Sequence, residues 1–210
     1  MPPGSDFLFK DRNAAAQELL SSLEFLKGRS GVVLAIPRGG VPLGRVVADG
    51  IGWPLDPVMI KKIGHPENPE FAIGAAGLQD VFLEESGSEI DPRYLLEETA
   101  RLQQLLRDRR KRFMHDREPA EIAGKTVVIV DDGAATGKTL LSAVRFVRRS
   151  NPAAIIVAVP VASVEAAERL RSEADTLVCL HTPPGFFGVG QFYEEFPQVE
   201  DEEVEKLLNS

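Results

Sequence analysis

Two adjacent carboxylates, Asp131 and Asp132, stand directly before a run of small and hydroxyl residues, Gly133-Ala-Ala-Thr-Gly-Lys-Thr139. The preceding Lys125-Thr-Val-Val-Ile-Val130 is a continuous apolar run of the kind that forms a strand buried on both faces. A glycine-containing loop between such a strand and a helix leaves its amides unpaired and pointing outward, and the helix dipole adds partial positive charge there. A phosphate fits that cup. The Thr136 and Thr139 hydroxyls can add donors, while Ala134 and Ala135 let the backbone come close. The acids suit the hydroxyls of a sugar that carries the phosphate, because carboxylates accept what hydroxyls donate.

In an open α/β sheet the ligand crevice lies beyond the carboxyl ends of the strands. Two other strand ends therefore matter: Pro37-Arg38-Gly39-Gly40 after Gly31–Ile36, and Lys61-Lys62 after Leu55–Ile60. Gly133-x-x-x-Gly137-Lys138-Thr139 has one residue too few between its glycines for a Walker A loop. The acids before it would also repel a nucleotide triphosphate, so a P-loop NTPase is disfavoured.

These loops need elements to hold them. Ala15, Leu19, Leu23 and Leu26 recur at helical spacing between Asp11 and Gly28. A helix is also expected from the loop after Ile36 through Ala48. Asp91-Pro92 is an N-cap followed by proline at the first helical position, and Leu95, Leu102, Leu106 and Phe113 continue one apolar stripe. The basic run Arg107, Arg109, Arg110, Lys111 and Arg112 suits the end of that helix electrostatically. A helix after Thr139, a strand at Ala154–Val159, a helix at Ser163–Arg171 and a strand at Thr176–Leu180 complete the alternation, and an acidic helical tail closes the chain. The expected fold is α/β: a central, mostly parallel sheet flanked by helices. Phe71–Leu83 reads as short strands or a mobile loop.

With 43% hydrophobic and 27% charged residues the chain is an ordinary globular mixture. Ala153–Ala162, the longest apolar stretch, is too short to span a bilayer and contains Pro160. No basic segment followed by an apolar core marks the N-terminus for export, so a cytoplasmic setting is expected. A net charge of −8 argues against broad attraction to nucleic acid or anionic membranes. Cys179, the single cysteine, reads as a small buried hydrophobe, and His65, His115 and His181 lack metal-ligand spacing.

Four apolar residues, two acids and a small loop with Thr-Gly-x-Thr are similar to the signature by which type I phosphoribosyltransferases bind 5-phosphoribosyl-1-pyrophosphate (PRPP). The resemblance extends over most of the chain, since Pro37–Gly40 looks like the family's pyrophosphate loop and Lys61-Lys62 like its following basic position. It implies that Asp131 and Asp132 hold the ribose hydroxyls, and that Ala134, Ala135, Thr136, Gly137, Lys138 and Thr139 bind the 5-phosphate. Arg38, Gly39 and Gly40 would take pyrophosphate, aided by Lys61 or Lys62. Mg²⁺ is expected through PRPP, with no direct protein ligand.

The implied activity is transfer of the phosphoribosyl group to a nitrogenous acceptor such as a nucleobase, with release of pyrophosphate, and hence a place in nucleotide metabolism. Ala135 stands where oxopurine-specific members carry an acid, so a hypoxanthine–guanine specificity is not implied. Phe186, Phe187 and Tyr193 are candidates for stacking on a flat acceptor. The expected domain is single, with a core over about 30–180, a hood from about 1–20 and 181–210, and a mobile loop over about 63–90. Family members often dimerise, which leaves a homodimer open. The alternative is a catalytically silent PRPP-sensing regulator.

Overall fold

The computed structural model describes residues 7–83 and 90–210. Its contacts divide the chain into two units, Met1–Val58 with Glu118–Ser210, and Met59–Arg117.

The first unit is built on a five-stranded parallel sheet. Its strands are β1 (Gly31–Ala35), β2 (Leu55–Pro57), β6 (Thr126–Val130), β7 (Ala154–Val161) and β8 (Thr176–His181), in the order β2-β1-β6-β7-β8. Every residue of β1 is buried, as are the last four of β6 and the last seven of β7. Strands with apolar side chains on both faces require cover on both sides. The first-unit helices α1 (Arg12–Ser22), α2 (Gly40–Ile51), α4 (Lys138–Arg148) and α5 (Val164–Glu173) connect or flank these strands. Helix α1 is capped by Asp11, whose carboxylate accepts from the Ala14 amide at 2.8 Å, and it buries Ala15, Ala16 and Leu19. The expected helix over residues 11–26 thus ends earlier, with a short 3₁₀ turn at Glu24–Leu26.

From β1 the chain crosses through α2 to β2 on one side, and later returns as β6 on the other. The reversal makes the carboxyl ends of β1 and β6 the topological switch point, where an open α/β sheet has its crevice. Register sets the two tips level, with Ala35 opposite Val130. Two distant segments also meet in this unit: Leu8 and Phe9 amides donate to the Phe192 carbonyl, and the Glu194 amide donates to the Phe9 carbonyl. Helix α6 (Asp201–Leu208) packs on α2 and buries Val204 and Leu208.

The second unit holds an antiparallel sheet of β3 (Lys61–His65), β4 (Asn68–Ala76) and β5 (Val81–Leu83), with the long helix α3 (Pro92–Met114). Ile63, Ile73, Ala76 and Leu102 form its buried cluster. Asp91 caps α3 through the Arg93 amide, and near the other end the Arg110 guanidinium donates to the Arg117 carbonyl. The basic run is therefore partly engaged in finishing its own helix.

Two sequence expectations change here. The strand expected over Leu55–Ile60 stops at Pro57, because its neighbour β1 ends at Ala35; Val58 makes the last bond, to the Ala35 carbonyl at 2.8 Å. Lys61 and Lys62 do not close that strand but open β3, opposite Ala76 and Ala75 of β4. The segment 63–90, expected to be a mobile loop, holds the end of β3 and all of β4 and β5 among its described residues, and residues 84–89 lie outside the described residues. The small residues Gly74-Ala-Ala-Gly77 carry little hydrophobic signal, and antiparallel pairing supplies the missing order.

Candidate functional site

The loop after β1 lies flat against the end of β6. The Ile36 amide donates to the Val130 carbonyl at 2.9 Å, and the Gly40 amide returns to the Ile36 carbonyl at 3.0 Å to start α2. A side chain at Gly40 would meet the Asp131 Cα at 2.9 Å, and one at Gly39 would overlap the Asp132 carboxylate. Only hydrogen fits at either place. The Pro37–Arg38 peptide is cis. The Arg38 guanidinium approaches two carboxylates at the start of α6, Glu200 at 3.4 Å and Asp201 at 3.7 Å.

The two acids are differently held. Asp131 accepts the backbone N–H of Asp132 on one carboxylate oxygen at 2.9 Å. Burial pushes its carboxyl well above the usual aspartate range, and the neighbouring Asp132 charge pushes it further. Asp132 is also raised by burial, but the Arg12 guanidinium opposes that rise, with Nε 2.9 Å from the carboxylate. Its carbonyl accepts the Tyr193 hydroxyl at 2.7 Å. Burial and the Asp132 charge raise the Tyr193 phenol, so the hydroxyl remains a donor.

Arg12 is the residue that no local motif identified. It stands at the first position of α1, 120 residues from Asp132. Its guanidinium lies 3.7 Å above the Phe196 ring, and a further N–H donates to the Pro197 carbonyl at 2.6 Å. The Asp11 cap fixes where the helix begins and therefore where Arg12 projects. No spacing rule could have found this contact, because its two partners belong to separate parts of the chain.

The loop after the acids is pinned from behind. Ala134 is buried and its amide donates to the Val161 carbonyl at 2.9 Å, while its own carbonyl accepts from the Ser163 amide. Ala134 thus spends its amide on the neighbouring strand and has none to offer to the cup. Ser163 Oγ donates to the Ala135 carbonyl at 2.7 Å. Gly137 adopts a left-handed φ of 70° and begins α4 without a side-chain cap. The Lys138 amide approaches Thr136 Oγ1 at 3.4 Å. Among the described residues, the amides of Ala135, Thr136, Gly137, Thr139 and Leu140 carry no hydrogen bond. Five open donors at a helix N-terminus form an anion cup next to the acids.

The aromatic candidates separate. Tyr193 is buried between Phe9 and Phe196, with ring centroids at 5.3 and 4.8 Å, and is a structural member of the terminal segments rather than an open stacking surface. Phe186 packs on Phe192 at 4.8 Å, whereas Phe187 is 93% exposed. Lys61 and Lys62 belong to the second unit, and the site described here is built from the first unit alone. Cys179, expected to be buried, is only half-buried, and its thiol donates to the His181 carbonyl at 3.2 Å; partial burial pushes that thiol up. No three-residue cluster of His, Cys, Asp or Glu suited to a metal occurs among the described residues, and none of the described helices is long and apolar enough to cross a membrane.

Comparisons with known proteins agree with this architecture. The family model described as "Phosphoribosyl transferase domain" matches residues 8–194. A protein of Mycobacterium tuberculosis named "Putative phosphoribosyl transferase", found in two strains, is 38% identical over 207 residues, covering 96% of this chain. The chain spans about half the length of these curated relatives, 46%. The crystal structure of TT1426 from Thermus thermophilus is similar at a TM-score of 0.87 and 42% identity, covering 95% of this chain and 97% of that one. A Neisseria gonorrhoeae protein solved with bound ppGpp has a TM-score of 0.53 at 12% identity, covering 96% and 97% of the two chains, a likeness of fold alone.

Proposed function

Because this chain belongs to the phosphoribosyl transferase domain family, we propose that it transfers the 5-phosphoribosyl group of PRPP to a nitrogenous acceptor and releases pyrophosphate. The observation that carries this reading is the conjunction, at one switch point, of a twin-acid strand tip with five unpaired amides at the next helix start. In this reading Asp131 and Asp132 accept the ribose hydroxyls. The amides from Ala135 to Leu140, with the hydroxyls of Thr136 and Thr139, hold the 5-phosphate. The Arg38–Gly40 loop receives the pyrophosphate.

The bond from the anomeric carbon to the pyrophosphate oxygen breaks while the bond to the acceptor nitrogen forms. Carboxylates near the ribosyl ring stabilise its developing positive charge, and loop amides stabilise the departing diphosphate. Mg²⁺ would arrive with PRPP and would neutralise the diphosphate charge, while Asp131 and Asp132 would receive the ribose hydroxyls. The same reading carries a cytoplasmic role in nucleotide metabolism.

Calorimetric titration with PRPP and Mg²⁺, followed by a pyrophosphate-release screen across purines, pyrimidines and small amines, tests the proposal. Saturable binding with release in at least one acceptor reaction is expected. Absence of binding overturns the site, and binding without release for every acceptor favours a PRPP sensor.

A further inference from the structure

Resting on the phosphoribosyl reading, we infer that Arg12 is a positioning residue of the ribose site, fixing the carboxylate of Asp132 that receives the sugar hydroxyls. Three contacts locate its guanidinium: the Asp132 carboxylate, the Pro197 carbonyl and the face of Phe196. A planar cation held on three sides fixes the acid's orientation as well as its charge. The side chains of Arg12 and Asp132 are only 11% and 13% exposed, so solvent screens this pair less than a surface pair. The carboxylate is confined further by Gly39, since the oxygen that meets Arg12 also fills the space a side chain there would need.

The charge matters because of the neighbours. Asp132 faces Asp131 on its own strand tip, Arg12 from α1 and Tyr193 from the C-terminal segment. Burial and a like charge favour protonation of the acids, and a protonated acid is a poorer acceptor for ribose hydroxyls. Arg12 is the cation that opposes this for Asp132. Phe196 and Pro197 hold Arg12 at its post, which gives the C-terminal segment a part in the chemistry without contact with the reacting atoms.

The decisive measurement is the pH dependence of PRPP–Mg²⁺ affinity between pH 5.5 and 8.5 for the wild type, Arg12→Gln and Arg12→Lys. Loss of the cation raises the carboxylate's protonation range, so the acid limb of binding moves up by about one pH unit or more. Arg12→Gln is then weaker by about tenfold near the acid limb and approaches the wild type at pH 8.5, while Arg12→Lys falls between them. A wild type that binds while Arg12→Gln keeps its pH profile overturns the role of Arg12 alone. Equal weakening of both variants at every pH marks a merely structural part and overturns it too. A wild type that binds no PRPP overturns the phosphoribosyl reading itself. Carbon-13 NMR titration of the wild-type aspartates needs no variant to fold: Asp132 should keep its charge to lower pH than Asp131, and the reverse order would refute the inference.

Discussion

The carboxylate of Asp132 occupies the space that a side chain on Gly39 would need: a Cβ there would lie 2.7 Å from the carboxylate carbon. The first loop of the site and its acid are therefore fitted to each other across the β1–β6 boundary. Gly39→Ala must push the carboxylate off its Arg12 contact or tilt the loop. Overpacking of this kind costs about 1–3 kcal/mol. PRPP–Mg²⁺ affinity should fall by about tenfold or more by calorimetry, and unchanged affinity would mean that the acid does not act from this position.

Asp131 predicts a conflict between stability and function. Its folded carboxyl lies above the ordinary aspartate range, so the native state binds that proton more tightly than the unfolded chain. Its contribution is favourable below the ordinary value and is lost as pH rises through the raised one. Asp131→Asn keeps an oxygen for the Asp132 amide and removes the charge. The variant should melt above the wild type at alkaline pH, with the gap closing as pH falls toward the ordinary aspartate range, while PRPP affinity collapses. Asp175, held below its ordinary value by Arg148 and the Ile155 amide, titrates with the opposite sign, so the pairwise comparison at each pH isolates Asp131.

Tyr193 should be a silent phenol with a structural hydrogen bond. The protein has two tyrosines, and burial leads the causes that raise both. Native absorbance at pH 10 should show well under the half-conversion to phenolate expected of free tyrosine, and denaturant should restore it. Tyr193→Phe removes the bond to the Asp132 carbonyl and should cost about 1–2 kcal/mol in urea unfolding.

Gly137 turns the chain with a left-handed φ, and a Cβ there would come within 3.3 Å of Ala166. Gly137→Ala should destabilise the fold by about 1–2 kcal/mol. Re-aiming the amides should also weaken PRPP binding beyond what the melting shift predicts, a comparison that thermal unfolding and calorimetry make together. A variant that binds normally would detach the cup from phosphate recognition.

Legibility followed the range of the interaction that had to be read. The strands β1, β6 and β7 announced themselves because burial on both faces demands unbroken apolar runs. The α3 start was readable from Asp91-Pro92, since a cap acts over three residues. The β3–β5 sheet was less readable because its small residues lack a strong pattern and its order comes from pairing between segments. The lysines were misplaced for the same reason: where β2 ends is set by the length of its neighbour.

By itself the sequence determined the alternation of strands and helices, the adjacency of Asp131 and Asp132, and the loop that follows them, because each is written in consecutive residues. Tertiary structure alone decided that Ala134 spends its amide on Val161, and that Arg12 reaches Asp132 across 120 residues. It likewise brought Tyr193 to the Asp132 carbonyl across 61 residues and Glu200 to Arg38 across 162. Local patterns fix backbone conformation, but the partner of a charge is fixed only when the chain closes and buries the two together.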